Sequence, residues 1–227
     1  MSSSESLDSP RYNPVRQFAK RVLTGLLPKS MFIVHGPATS KRVCLTFDDG
    51  PHPELTPQIL DTLKQFNAKA TFFVIGERAE EYPDILKRIL AEGHTLASHT
   101  QHHVDLSKAG FGITRGECME SKEVLVRAGA KVRYLRPPWG KMSPLTLPAA
   151  AASKMAVALW SMDSMDYQQI PASQVIERIR SLQPAPGDIL LFHDDRAHTA
   201  QALPEVLAYL KTRGLQCVTL ETLMDRK

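Results

Sequence analysis

From residue 41 onward, the sequence consists of short apolar runs that alternate with amphipathic helical segments. Seven runs are predicted to be strands, namely Val43–Phe47, Ala70–Ile75, Thr95–Ala97, Val132–Leu135, Met155–Trp160, Asp188–Phe192 and Gln216–Leu220. Several of them, such as those containing FFVI and ILLF, are apolar throughout, as expected for strands covered on both faces. Strands that alternate with helices indicate an α/β fold with a parallel sheet. An open doubly wound sheet and a closed or distorted barrel both fit this pattern.

Two helix starts carry local capping signals. Thr56 precedes Pro57, so it is predicted to be an N-cap with proline at the first helical position. Thr114 and Glu117 have the spacing of a capping box at the start of a later helix, which Gly129 is expected to end.

The composition excludes several classes of protein. Of the 227 residues, 43% are hydrophobic and 23% are charged, and there is no long uninterrupted apolar run. Disorder of the bulk of the chain and a transmembrane helix are therefore both excluded. The net charge is +4, but most of the excess lies in residues 1–29 and the rest of the chain is nearly neutral. We therefore expect no nucleic-acid partner.

The N-terminal part differs from the rest of the chain. Residues 1–15 are rich in Ser and Pro and are predicted to be a disordered tail. Residues 16–40 are predicted to be an amphipathic segment and linker, in which residues 16–27 form a helix with an apolar stripe opposite basic side chains. We favour packing of this helix against the domain, with weak contact to an anionic membrane surface as the alternative.

Cysteine usage and the first residues bear on location. Cys44, Cys118 and Cys217 are odd in number, and no two of them have the spacing of a metal site. The start of the chain is polar and lacks the apolar stretch of a secretory signal. These features predict a cytoplasmic protein.

The strongest chemical signal comes from TFDDGP and HTQHH, which each follow a predicted strand. Asp48 and Asp49 are adjacent at a strand end and point in different directions, so one can bind a metal while the other faces a substrate. His99 and His103 are four residues apart, which brings both imidazoles to one side of a helical turn. His102 has the wrong offset and is interpreted as a non-ligand. Two imidazoles and one carboxylate form a familiar catalytic site for zinc, and also for iron or cobalt.

Three further motifs follow later strands. RPPWG places Arg136 in a loop stiffened by prolines, where it could pair with a carboxylate. DSMDY contains Asp163 and Asp166, which taken alone are expected to be helix caps or solvated loop residues. LFH places His193 at the end of a buried strand as a candidate general acid, because histidine titrates near neutral pH.

All five motifs lie at the carboxyl ends of different predicted strands, where both α/β architectures build their active sites. A metal-assisted hydrolase needs such a set, because it requires metal ligands, a second carboxylate as base, an acid for the leaving group and groups that orient them. We therefore interpret the five motifs as one active site.

In this order, TFDDGP, HTQHH, RPPWG, DSMDY and LFH resemble the five motifs of the polysaccharide deacetylase family, also called the NodB homology domain or carbohydrate esterase family 4. The stretches TPQILDTLKQFNAKATFFVIG and ILAEGHTLASHT are also typical of the family. The resemblance covers residues 41–224. It implies an α/β fold of the distorted (β/α) barrel type, with about seven parallel strands and outer helices. It also implies a divalent metal, usually zinc, with cobalt or another divalent ion as alternatives.

The resemblance further implies roles for individual residues. Asp49, His99 and His103 would hold the metal. Asp48 would be the general base, oriented by Arg136.

Other implied roles concern the leaving group and the acetyl group. His193 would be the general acid, and an aspartate of the fourth motif would tune it, with Asp163 as our first choice and Asp166 as the alternative. Leu191 would line the acetyl pocket. The backbone N–H of Trp139 would help to bind the oxyanion.

Two positions depart from the family pattern. The third motif usually ends with Tyr, and here it has Trp139, which should matter little because the implied role belongs to the backbone. The fourth motif usually ends Asp-Trp, and here Tyr167 follows the aspartate. This smaller ring with a hydroxyl group bears on substrate preference more than on the chemistry.

Together, these expectations describe a metal-dependent carbohydrate N-deacetylase that removes N-acetyl groups from amino sugars of an oligo- or polysaccharide and releases acetate. One alternative is a metal-dependent amidase or O-acetyl esterase that acts on a non-glycan or an acetylated xylan-type substrate. The other is a catalytically silent binding module.

Overall fold

The computed structural model describes residues 27–28 and 30–225, so the predicted tail of residues 1–15 and the amphipathic stretch 16–26 lie outside the described residues. The strands are β1 (Phe32–Ile33), β2 (Arg42–Asp48), β3 (Ala70–Val74), β4 (Thr95–Ser98), β5 (Tyr134–Leu135), β6 (Ala156–Ala158), β7 (Met162–Asp163), β8 (Ile189–His193) and β9 (Gln216–Cys217). The helices are α1 (Leu55–Gln65), α2 (Gly76–Glu81), α3 (Pro83–Ala91), α4 (Phe111–Arg127), α5 (Thr146–Ala152), α6 (Ala172–Leu182), α7 (Ala197–Thr212) and α8 (Leu220–Met224). None of these helices is long and apolar enough to cross a bilayer.

The strands form a parallel sheet that curls around an interior. Their order is β1-β6-β5-β4-β3-β2-β8-β7, and β9 pairs with the start of β2. The curvature is visible at Arg136, directly after β5. Its guanidinium reaches across the interior to Asp48 at the end of β2, although β4 and β3 separate the two strands within the sheet. The barrel type implied by the resemblance is therefore confirmed, as a half-barrel with helices around it rather than an open doubly wound sheet.

Strand alternation sorts the buried side chains into two layers. In β2, Val43, Leu45 and Phe47 belong to the large apolar cluster between the sheet and the helices. Cys44 points the other way, into a smaller cluster inside the curled sheet that also contains Leu223 of α8. Because successive strand residues face opposite sides, the residues that share the parity of Cys44 point into the barrel.

The seven predicted strands are all present, although several are shorter than predicted. Two more strands, β1 and β7, were not predicted. Each has only two residues, which is too short for any periodicity, and each forms because it pairs with a neighbour, β6 or β8 respectively. Since β1 lies within residues 16–40, the sheet begins inside the segment that was predicted to be a linker.

Both predicted capping arrangements are wrong, because each helix begins earlier than its signal indicates. Thr56 lies inside α1, and its hydroxyl donates to the Asp194 carboxylate at 2.6 Å. Glu117 lies inside α4 and accepts hydrogen bonds from the loop that follows β4. Tertiary contacts thus engage side chains that local spacing assigns to helix ends. Gly129 does follow the end of α4, in the left-handed region at φ 97°.

Arg136→Ala is expected to lower the free energy of unfolding by about 3–5 kcal/mol, because it leaves the buried Asp48 carboxylate without its cation. Urea unfolding followed by circular dichroism measures this loss. Arg133→Ala is the control, since that guanidinium is exposed and its loss should cost less than about 1 kcal/mol. Equal effects of the two substitutions would contradict the bridging role of Arg136.

Candidate active site

Asp48 is held in a fixed position at the carboxyl-terminal mouth of the barrel. It has the inward parity of β2 and is only 3% exposed. Its Oδ1 accepts a hydrogen bond from Nη1 of Arg136 at 2.6 Å. The Arg136 side chain is completely buried, and it also donates to Thr46 Oγ1 and to the carbonyl oxygens of Ala158 and Leu159 at the end of β6. The carboxylate is therefore both oriented and balanced in charge.

Asp49, His99 and His103 bring three candidate ligand atoms together. Asp49 Oδ1 lies 3.4 Å from Nε2 of His99 and 3.2 Å from Nε2 of His103, and the three atoms lie within 4.8 Å of one another. Nδ1 of His99 lies 2.8 Å from the carbonyl oxygen of Arg136. Because a carbonyl can only accept, Nδ1 carries a proton, and Nε2 is the nitrogen that faces Asp49.

The surroundings of Asp49 fit a divalent cation. Within the described part of the chain, its Oδ1 is buried and has no hydrogen-bond partner. Buried polar atoms are rarely left in this state, and the same oxygen faces two imidazole nitrogens. Burial alone would raise the pKa of the Asp49 carboxyl, but the imidazoles of His103 and His99 hold it well below its usual range. The carboxyl is therefore ionised at neutral pH, as a metal ligand must be.

The two histidines converge by a different route from the predicted helical turn. The segment after β4 is an irregular loop, in which Thr100 and His103 have left-handed backbone conformations at φ 69° and 53°. His103 packs edge-on against Trp139, with ring centroids 4.5 Å apart. His102 lies outside the ligand group, and its Nδ1 is 2.9 Å from Oε1 of Glu117. The predicted pair is brought together, but the helical geometry used to predict it is wrong.

Gly50 is required by the packing beneath the two aspartates. A Cβ at this position would collide with the Asp194 carboxylate, which Thr56 holds in place. Burial raises the pKa of the Asp194 carboxyl to about 7, although the hydrogen bond from Thr56 opposes the shift. The glycine of TFDDGP therefore serves close packing under the site as well as the turn.

His193 lies beside Asp48, because the two residues are register partners on the adjacent strands β8 and β2. Nδ1 of His193 is 2.7 Å from Oδ1 of Asp166, and the backbone N–H of His193 donates to Oδ2 at the same distance. Thr199 also donates to Oδ2. Burial alone would lower the pKa of His193, but the hydrogen bond and the charge of Asp166 raise it to about 9. The imidazole is therefore held as a cation at neutral pH.

Asp166, and not Asp163, is the partner of His193, so our first choice is wrong. Asp163 lies in β7, and its Oδ1 accepts a hydrogen bond from the backbone N–H of Met165. Met165 itself has a left-handed backbone, and a 3-10 turn over residues 166–168 follows it. This turn directs the Asp166 carboxylate back to the end of β8, which strand periodicity could not predict.

The remaining predicted residues border the site. Trp139 and Tyr167 are 54% and 44% exposed, and the Tyr167 ring lies edge-on to His193 with centroids 5.9 Å apart. The Trp139 backbone is left-handed at φ 54°. Leu191 is buried on β8 and faces the same side as His193, two residues later.

Sequence reasoning missed several side chains that support the site from the helices. Arg78 of α2 donates to the carbonyl oxygen of Asp49, and Thr199 of α7 donates to Asp166. Glu117 of α4 bonds to the histidine loop. The one available signal was a polar residue on an otherwise apolar helix face, as at Thr199.

The pairing of His193 with Asp166 makes stability depend on pH. Because the pKa of His193 is about 9 in the folded state and about 6.5 when unfolded, its contribution is complete below about pH 6.5 and is lost as the pH rises through 9. Asp166→Asn should therefore lower the free energy of unfolding by about 3 kcal/mol near pH 6 and by less near pH 10. Urea titrations at both pH values test this, and a loss of equal size at both would speak against the pairing.

Comparison with known proteins gives independent information on this chain. The family model for polysaccharide deacetylase matches residues 35–158. A peptidoglycan-N-acetylglucosamine deacetylase of Bacillus cereus is 37% identical over 202 residues, which cover 87% of this chain and 73% of the relative. A chitooligosaccharide deacetylase of Sinorhizobium fredii is 34% identical over 76% of this chain and 86% of the relative.

A solved structure agrees with these matches. The crystal structure of the Bc1960 peptidoglycan N-acetylglucosamine deacetylase superimposes with a TM-score of 0.81 at 37% identity, and the match covers 85% of this chain and 92% of that one. Sequence and fold thus agree over most of the chain, and the family model spans the strands that end in the first three motifs. This chain belongs to the polysaccharide deacetylase family, carbohydrate esterase family 4.

Proposed function

We propose that this chain hydrolyses N-acetyl groups on the amino sugars of an oligo- or polysaccharide, with a divalent metal held by Asp49, His99 and His103. The observation that carries the proposal is the orphaned Oδ1 of Asp49 between two imidazole nitrogens at the mouth of the barrel. The relatives described as peptidoglycan-N-acetylglucosamine and chitooligosaccharide deacetylases support a glycan substrate.

The proposed metal is Zn²⁺, with Co²⁺ or another divalent ion as alternatives. Two imidazoles and one carboxylate suit these ions, and three protein ligands leave positions for solvent and substrate. When bound, such an ion supplies electrophilic assistance to an amide carbonyl and lowers the pKa of a water molecule toward about 7.

Asp48 is the proposed general base. Its Oδ1 is engaged by Arg136, so Oδ2 is the oxygen that can accept a proton. Oδ2 lies 3.9 Å from Nε2 of His99, which places it beside the proposed ligands. In the reaction, the oxygen of a water molecule forms a bond to the acetyl carbon, and the proton that it loses passes to Asp48.

His193 is the proposed general acid. Its Nδ1 is engaged by Asp166, so Nε2 is the atom that can donate a proton to the leaving nitrogen. The raised pKa keeps that proton available at neutral pH. The C–N bond then breaks with its electron pair on nitrogen, and the products are acetate and a free amine on the sugar.

The bordering residues complete the proposed site. The backbone N–H of Trp139 would donate to the oxyanion, and Leu191 would contact the acetyl methyl group. The exposed rings of Trp139 and Tyr167 offer apolar faces on which a sugar can pack.

Acetate release from a panel of substrates tests the proposal. The panel contains N-acetylglucosamine oligomers, acetyl-xylan and a small acetylated amide, each assayed after chelation and after zinc or cobalt is restored. We expect metal-dependent release from the oligomers. Release from the other substrates alone would establish the amidase or esterase alternative, and no release by the metal-loaded protein would establish a silent binding module.

Asp48→Asn should lower kcat/KM for the oligomers by about 10²- to 10⁴-fold, because asparagine keeps an oxygen for Arg136 but cannot take up the proton. Its circular dichroism and zinc content should match those of the wild type. Asp84→Asn, at an exposed position on α3, is the control and should retain full activity. Full activity of Asp48→Asn would rule out Asp48 as the base.

His99→Ala should lose stoichiometric zinc, because it removes one of three ligands and the imidazole that Arg136 orients. Lys108→Ala, at an exposed position further along the same loop, is the control, and it should keep its zinc. Metal analysis of the dialysed proteins gives the result. Stoichiometric zinc in His99→Ala would disprove this ligand assignment.

A further inference from the structure

Glu117 of α4 is a buried carboxylate that the mechanism above does not use. We propose that it is a positioning residue, which holds the loop after β4 so that His103 faces Asp49. This inference rests on the proposed metal site. It assigns a role at that site to a residue outside the five motifs.

The loop needs external support because its backbone is unusual. Thr100 and His103 both have a positive backbone angle φ, which residues other than glycine rarely adopt. Such conformations persist where surrounding contacts enforce them. The position of the His103 imidazole therefore depends on the contacts that hold residues 100–103.

These contacts come from two sides of the loop. On one side, the backbone N–H groups of Gly76 and Glu77 at the start of α2 donate to the carbonyl oxygens of Thr100 and Gln101, each at 3.0 Å. The loop carbonyls are thus fixed by the start of α2.

On the other side, Glu117 binds the N–H groups of the same loop. Its Oε2 accepts from the backbone N–H of Gln101 at 3.0 Å and of His102 at 2.9 Å, and its Oε1 lies 2.9 Å from Nδ1 of His102. One carboxylate therefore meets three donors directly before His103. Without it, two backbone N–H groups in a mostly buried loop would lose their partner.

Glu117 is itself fixed relative to β4. It is 9% exposed, and one turn later on α4 the hydroxyl of Ser121 lies 2.6 Å from that of Ser98, the last residue of β4. His99 follows Ser98 directly. The same helix–strand contact thus sets the position of both imidazole ligands, His99 through the strand and His103 through Glu117.

Cobalt binding to the full chain tests the proposal. The variants are Glu117→Met, which fills the space without an acceptor, Glu117→Ala, and Glu117→Gln, which keeps an oxygen for the two backbone N–H groups. Glu123→Ala, at an exposed position on the same helix, is the control. The readouts are the cobalt Kd, the visible absorption spectrum of the bound cobalt and the thermal midpoint of the metal-free protein.

We expect Glu117→Met and Glu117→Ala to weaken cobalt binding by about 10- to 100-fold and to alter the spectrum, as losses of supporting contacts around a metal do. Glu117→Gln should restore wild-type affinity and spectrum, and Glu123→Ala should resemble the wild type. A wild-type Kd and spectrum in Glu117→Met would overturn the proposal. So would failure of both Glu117→Met and Glu117→Ala to fold, because Glu117 would then serve the whole domain. Absence of cobalt binding by the wild type would instead refute the metal site itself.

Discussion

The buried guanidinium of Arg136 is the interaction on which the site depends. Its guanidinium donates to Asp48, to Thr46 and to carbonyl oxygens at the end of β6, while the backbone carbonyl oxygen of Arg136 accepts from His99. One residue at the end of β5 therefore orients the proposed base, fixes the tautomer of a proposed ligand and ties together strands that are distant in the sheet. A buried cation is costly unless every donor is used, and here the curl of the sheet brings the acceptors to it.

Two neighbouring titratable groups have opposite surroundings at this mouth. Asp48 faces a cation, whereas His193 faces the carboxylate of Asp166. The charge of Asp48 is thus balanced by Arg136 and that of His193 by Asp166, an arrangement that suits the proposed roles of base and acid. The adjacent Asp49 is not bonded to Arg136; its Oδ1 faces the imidazoles of His99 and His103, and it is the oxygen that remains for a metal.

The features that were predicted correctly are those whose sequence pattern recurs regularly along the chain. The alternation of strands and helices predicted the parallel sheet, and the strand ends predicted which residues meet at the mouth. Two-residue strands carry no periodicity, so β1 and β7 emerged only from their pairing. Asp166 was placed second because its approach to His193 depends on the left-handed backbone of Met165, which no spacing encodes.

Local signals failed where tertiary contacts were stronger. Thr56 and Glu117 have the spacing of helix caps, yet both are inside helices and bond to distant parts of the chain. The histidine pair was predicted correctly for a wrong reason, since a loop with two left-handed residues, and not a helical turn, brings the rings together. At Thr56, the better signal was a polar side chain on an otherwise apolar helix face.

The in-register pairing of Asp48 with His193 has a consequence for how such an enzyme can diversify. Their separation follows from the spacing of hydrogen-bonded strands, about 4.8 Å, which no change in a surface loop can stretch. Loops at the rim, including those that carry Trp139 and Tyr167, can vary in length and chemistry to admit different sugars. The spacing between the proposed base Asp48 and the proposed acid His193 meanwhile stays constant.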